Sequence, residues 1–175
     1  MKAENLPKKT EAEFDEIDES ELQDFKCYMT ETAEPDDLQH IQDVDEEARQ
    51  DPAKRRMIEQ AIADGNCKLM THEGQIMAYG IFDYSAKGKQ GCVKLIYVIP
   101  EQRRDGVGAD MLMGFEPFCE TPKIFASVPR TNLAAQELFK SVDYHALNEP
   151  RASDADILFV KSIWAPTPRR RETVQ

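Results

Sequence analysis

The chain predicts an α/β protein with a mixed central sheet flanked by helices, and three observations carry that expectation. Apolar residues recur at helical spacing in the first 65 residues, the period changes to that of strands over residues 67–98, and beyond residue 100 helical and extended segments alternate. The resulting order is helix, helix, three strands, helix, strand, helix, two strands, which one layered core can accommodate.

The elements follow in order. Residues 1–12 lack apolar periodicity and read as an N-terminal arm. Phe14 and Ile17 suit a brief strand. Ser20-Glu21-Leu22-Gln23 fits a capping box, so with Leu22, Phe25 and Met29 the spacing predicts a helix over 21–32. Leu38, Ile41 and Val44 suggest another short helix. Asp51-Pro52 pairs an N-cap with proline at the first helical position, and Met57, Ile58, Ala61 and Ile62 form an apolar stripe that Gly65 ends. Residues 67–71 and 76–84 read as a hairpin about Glu73-Gly74, with a polar connection over 85–91 leading to a strand at 92–98. Val107, Met111 and Phe115 then place one helical face on the sheet until Pro117. A strand at 124–128, a helix opened by Thr131-Asn132, a short strand at 144–147, a polar loop at 148–156 and a strand at 157–163 complete the core. The expected division is an arm at 1–12, one domain at 13–164 (an acidic helical part to residue 64, then the core), and a basic tail at 165–175.

The net charge of −11 is concentrated near the start of the 175-residue chain. Residues 1–50 hold 17 acidic and five basic side chains, which leaves 16 acidic and 17 basic for the rest. Such a surface repels nucleic acid, whose binding depends on cations meeting phosphates, and mildly favours a cationic acceptor. The four cysteines show no paired ligand spacing, so no metal site is expected and the thiols read as reduced, in a cytoplasmic protein. No apolar run approaches a membrane span or a signal peptide, so no membrane partner is expected.

The candidate site is the segment 95–112. A buried strand ends at Val98-Ile99-Pro100, the turn Arg103-Arg104-Asp105-Gly106-Val107-Gly108 follows, and a helix opens. Glycines there let backbone N–H groups approach a ligand, and the helix directs the positive end of its dipole into the turn, which makes a phosphate cradle.

This turn resembles the Gln/Arg-x-x-Gly-x-Gly/Ala signature of the GNAT family of N-acetyltransferases, and Asn132-Leu133-Ala134-Ala135-Gln136-Glu137-Leu138-Phe139 onward to Tyr144 is similar to a second segment of that family. The resemblance implies the GNAT fold over residues 14–164 and acetyl-CoA as cosubstrate. It implies a pyrophosphate held by Arg103, Arg104, Asp105, Gly106, Val107, Gly108 and Ala109, a pantetheine arm along Ile96, Tyr97 and Val98 with Asn132 touching it, and the Val98 backbone N–H as oxyanion donor. The acceptor would be a small-molecule or peptide amine.

The sequence departs from the pattern at three places. The tyrosine that serves the family as general acid is Phe139, Asp105 puts a carboxylate in the cradle, and Asp143 replaces a glycine. No glutamate lies in the strand 92–98, so Asp83, Tyr84 and His145 are the candidate bases. Tyr144 reads as core. A second function class is therefore a GNAT-fold protein of weak or no activity, serving as a structural component of a larger assembly such as a virion, or of a homo-oligomer.

Overall fold

The structure, a computed structural model, describes residues 28–86, 88–147 and 155–163. A seven-stranded sheet runs in the order β1-β2-β3-β4-β5-β7-β6. Its strands are β1 (Met29–Thr32), β2 (Cys67–His72), β3 (Gln75–Ala86), β4 (Gln90–Val98), β5 (Lys123–Pro129), β6 (His145–Ala146) and β7 (Asp156–Ser162). Among the described residues, β4 and β5 run parallel and the other neighbouring strands are antiparallel. Five helices complete the described fold: α1 (Asp37–Val44), α2 (Glu46–Gln50), α3 (Pro52–Ala63), α4 (Val107–Gly114) and α5 (Leu133–Ser141).

The predicted strand near Phe14 and the capping box lie outside the described residues. The helix expected over 21–32 is corrected where it is described: residues 29–32 form edge strand β1, with Met29 opposite Thr71 and Thr32 opposite Lys68. β-branched Thr30 and Thr32 suit a strand, and pairing satisfies a β2 edge that a helix would leave open. The connection expected over 85–91 is also shorter. β3 and β4 extend to Ala86 and Gln90, and Gly88 and Lys89 turn the chain with φ of +78° and +55°.

Local chemistry explains most of the rest. Asp51 accepts from the Ala53 N–H at 2.8 Å and Pro52 opens α3, as its sequence implies. Ile58, Ala61 and Ile62 face inward, whereas Met57 is exposed. At the β2–β3 hairpin Glu73 and Gly74 both take positive φ, 51° and 76°, which matches a tight hairpin turn to the strand twist. Val107, Met111 and Phe115 are fully buried beneath the sheet.

Alternation along the strands divides the core in two. Ala78 and Phe82 pack with α4 and α5, while Tyr79 and Ile81 pack with α1, α2 and α3 on the opposite face, and Met77, the extra residue where the β2–β3 register shifts, joins the former. Gly80 marks a close approach. A Cβ there would stand 2.7 Å from the Phe115 ring and 2.8 Å from the Leu95 carbonyl oxygen.

On the face of α1–α3, Asp45 is almost completely buried. Its carboxylate caps α2 at Ala48 N–H (3.1 Å), accepts from the Tyr79 hydroxyl (2.5 Å) and pairs with Lys54 (2.9 Å). Burial opposes its charge, but the hydrogen bonds from Lys54 and Tyr79 outweigh burial and hold the carboxyl below its ordinary value of 3.8. Burial and the Asp45 hydrogen bond push the Tyr79 hydroxyl upward.

Two tests follow. Gly80→Ala should cost about 1–3 kcal/mol in urea unfolding, because one contact is rigid backbone. Asp45→Asn should cost on the order of 3 kcal/mol at neutral pH by stripping Lys54 of a buried partner. Asp45 is depressed in the fold, so its contribution is complete above its unfolded pKa and is lost as pH falls through the lower folded value. The variant's deficit should therefore shrink below about pH 4, as read from unfolding at stepped pH.

Candidate active site

The cleft originates in an interruption of the sheet. β4 and β5 pair only at Gly91–Ile124, Cys92–Phe125 and Val93–Ala126, and beyond Val93 they separate. The β3–β4 register shifts at the same place, with Phe82 opposite Val93 and Ile81 opposite Leu95, so Lys94 is an extra, bulged residue. The Ile99 N–H donates to the Met77 carbonyl at 3.1 Å. By antiparallel alternation, the Ile96 and Val98 main-chain groups then point away from β3, into the gap. A cavity of about 840 Å³ fills this space, lined from β4, the following turn, the end of β5 and one side of α5.

The turn after β4 forms the mouth of that cavity. A 3₁₀ turn, Pro100–Gln102, leads to Gly106, the N-cap of α4, whose φ of +85° is the left-handed conformation that glycine adopts without a Cβ penalty. Arg104 is also left-handed, at +72°. Within the described residues no acceptor engages the N–H groups of Val107 and Gly108, so the dipole end of α4 offers free donors. Gly108 sits against the second wall, where a Cβ would lie 3.1 Å from Leu138 Cδ2 and 3.5 Å from Val98 Cγ2.

The expected cradle residues divide by position. Arg103, Arg104, Gly106, Gly108 and Ala109 line the cavity, as do Ile96, Tyr97, Val98 and Asn132. Asp105 is exposed and off the wall, and the Val107 side chain is buried in the core. The Ala109 N–H is already committed to the Gly106 carbonyl at 2.9 Å. Asn132 serves as the cap of α5, accepting from Ala135 N–H at 3.0 Å, and also forms part of the wall.

Phe139 lies on this wall with its ring stacked on Phe159 at 5.9 Å and edge-on to Tyr144 at 5.0 Å. Tyr144 is core, as expected, with burial pushing its hydroxyl pKa upward. Asp143 holds φ of +65°, so the position keeps the left-handed turn a glycine would make, in a residue type that tolerates it.

The three candidate bases do not gather at the cavity. Asp83 accepts from Ser85 N–H at 2.9 Å. The Tyr84 hydroxyl donates to the Phe118 carbonyl and accepts from Glu120 N–H, each at 2.9 Å. His145 is exposed on the sheet's far edge, opposite Val160. Residues the sequence reading missed line the cleft instead: Lys94, Ser127, Glu137 and Ser141. The signal for Lys94 was present as one polar residue in an apolar strand, but the bulge that exposes it is a matter of register. With Lys94, Arg103 and Arg104 against Glu137, the ionised side chains of the wall favour an anionic ligand.

Among the described residues no helix is long and apolar enough to cross a membrane. No curated protein matches the chain. Solved structures share its fold. A GNAT-family acetyltransferase from Bacillus cereus aligns with a TM-score of 0.67 at 23% identity, covering 78% of this chain and 97% of its own. The ribosomal-protein-S18-alanine N-acetyltransferase of Escherichia coli aligns at 0.61 and 17% identity, covering 82% and 98%. The diaminobutyrate acetyltransferase of Paenibacillus lautus, solved with L-2,4-diaminobutyric acid and coenzyme A, aligns at 0.59 and 16% identity, covering 79% and 96%. The family model described as Acetyltransferase (GNAT) family matches residues 21–144, most of the chain. With this match laid over a sheet that parts between β4 and β5, the chain belongs to the GNAT acetyltransferase family.

Proposed function

We propose that this protein is an N-acetyltransferase that moves an acetyl group from acetyl-CoA to an amine on a small molecule or peptide. The family uses acyl-CoA donors. The observation that carries the reading is the parted β4–β5 pair, because it leaves main-chain donors facing a cavity whose mouth is a cationic helix N-terminus. The Val107 and Gly108 N–H groups with Arg103 and Arg104 suit a pyrophosphate, and the Ile96 and Val98 main chain suits an amide-bearing arm laid beside it like an extra strand.

The chemistry asked of the residues is limited. A neutral amine attacks the thioester carbonyl, the C–N bond forms, the nitrogen releases a proton to water, the C–S bond breaks, and the departing thiolate takes up a proton. The Val98 N–H is the group assigned to the carbonyl oxygen as charge develops on it, a role for which a fixed backbone donor needs no reorganisation. Phe139 cannot supply the proton, so water is assigned that part. The acidic N-terminal third favours a cationic acceptor by raising its concentration near the surface.

Calorimetry with CoA tests the donor site. Wild type should bind, and Gly106→Glu should not, since the new carboxylate meets the phosphates and its Cβ strains a left-handed backbone in open space. Absence of wild-type binding at millimolar CoA would end the acyl-transfer reading. For the missing acid, Phe139→Tyr should raise turnover across an amine panel, with ~10²–10⁴-fold as the ceiling. A turnover unchanged by the phenol would show that the native proton route is already sufficient.

A further inference from the structure

Tyr97 holds more contacts than a strand residue beside a ligand arm requires. Its hydroxyl donates to the Val44 carbonyl at the end of α1 (2.9 Å), and its ring lies 5.4 Å from the Tyr79 ring. Two cations approach that ring: the Lys54 ammonium at 5.4 Å and the Arg103 guanidinium at 5.6 Å from its centre. Arg103 in turn donates through Nε to the Val98 carbonyl at 3.0 Å.

These contacts bracket the two peptide groups that flank the Val98 Cα. The Val98 N–H lies between Tyr97, whose side chain is rooted in α1 and β3, and the Val98 carbonyl, which Arg103 holds. Lys54 is itself fixed by Asp45 at 2.9 Å and Glu47 at 2.7 Å. A continuous series of contacts therefore runs from the buried Asp45 through Lys54 and Tyr97 to Arg103 at the mouth of the cavity. With Nε committed to Val98, the remaining guanidinium N–H groups of Arg103 stay available to an anion.

Resting on the acyl-transfer reading above, the geometry points to Tyr97 as a positioning residue. Its ring places Arg103, and through it the Val98 carbonyl and N–H, while its hydroxyl ties this assembly to helices α1–α3. The ring, more than the hydroxyl, sets the cradle. An exposed cation over an aromatic face contributes little by itself, but here it fixes a flexible arginine before the ligand arrives, which removes an ordering cost from binding.

The test compares Tyr97→Phe with Tyr97→Leu. Both lose the Val44 hydrogen bond, and Tyr97→Leu, which also loses the ring contacts with Tyr79 and Lys54, should melt at the lower temperature, so the role of the ring at the cradle is read from exchange and affinity rather than from melting. In the CoA-free protein, the Arg103 Nε–H signal, assigned by its disappearance in Arg103→Lys, should exchange slowly in wild type and Tyr97→Phe and quickly in Tyr97→Leu. CoA affinity should stay near wild type in Tyr97→Phe and fall about two- to fivefold in Tyr97→Leu, with kcat falling more in Tyr97→Leu than in Tyr97→Phe. Equal behaviour of the two variants in exchange and affinity overturns the proposal. A wild type that protects the Arg103 signal yet binds no CoA sinks the acyl-transfer reading, and the positioning role falls with it. Loss of protection in Tyr97→Leu without any change in affinity would also overturn it.

Discussion

Pairing between β4 and β5 stops once Val93 has met Ala126, and the site depends on that interruption. A parallel pair continued to Val98 would bond the Ile96 and Val98 main chain to β5 and close the cavity. The bulge at Lys94 changes the direction of β4 at the point of separation, so its later main-chain groups face open space. Of these groups the Val98 carbonyl accepts from Arg103 Nε at 3.0 Å. The gap so opened is the cavity lined by β4, the end of β5 and α5.

Holding a sheet open requires stiffness on both sides. On one side Val107, Met111 and Phe115 anchor α4 in a core where Phe82 and Phe115 stack at 5.5 Å. On the other, Asp45 takes three partners from α2, α3 and β3. A buried carboxylate is not in itself evidence of stability, but this one fixes where the three short helices sit. Through Tyr97 that position reaches Arg103 and the mouth of the cavity. The two faces of the sheet thereby meet at the end of β4.

Much of the candidate site's geometry was legible because its signals are local. Gly106 and Gly108 after an apolar strand, the cap at Asn132, and the stripe of Val107, Met111 and Phe115 each depend on neighbours within a few residues. The misread parts depend on distant ones. Residues 29–32 join a strand because β2 offers an edge, whatever Met29 contributes to a helical pattern. Asp83, Tyr84 and His145 were singled out as titratable groups at strand ends near the expected cleft, yet one is bonded to a turn, one to a loop, and one lies on an outer strand. Reactivity of type says nothing of direction.

The sequence by itself determined the α/β order, the glycine turn between a strand and a helix at 95–112, and the likeness to the GNAT family, since each is written in short-range spacing. Tertiary structure alone decided that β4 leaves β5, that Lys94 bulges, that Asp45 is buried against Tyr79 and Lys54, and that Asp105 stands off the wall. These follow from register and from contacts between residues tens of positions apart, and no local pattern encodes the point at which two strands part.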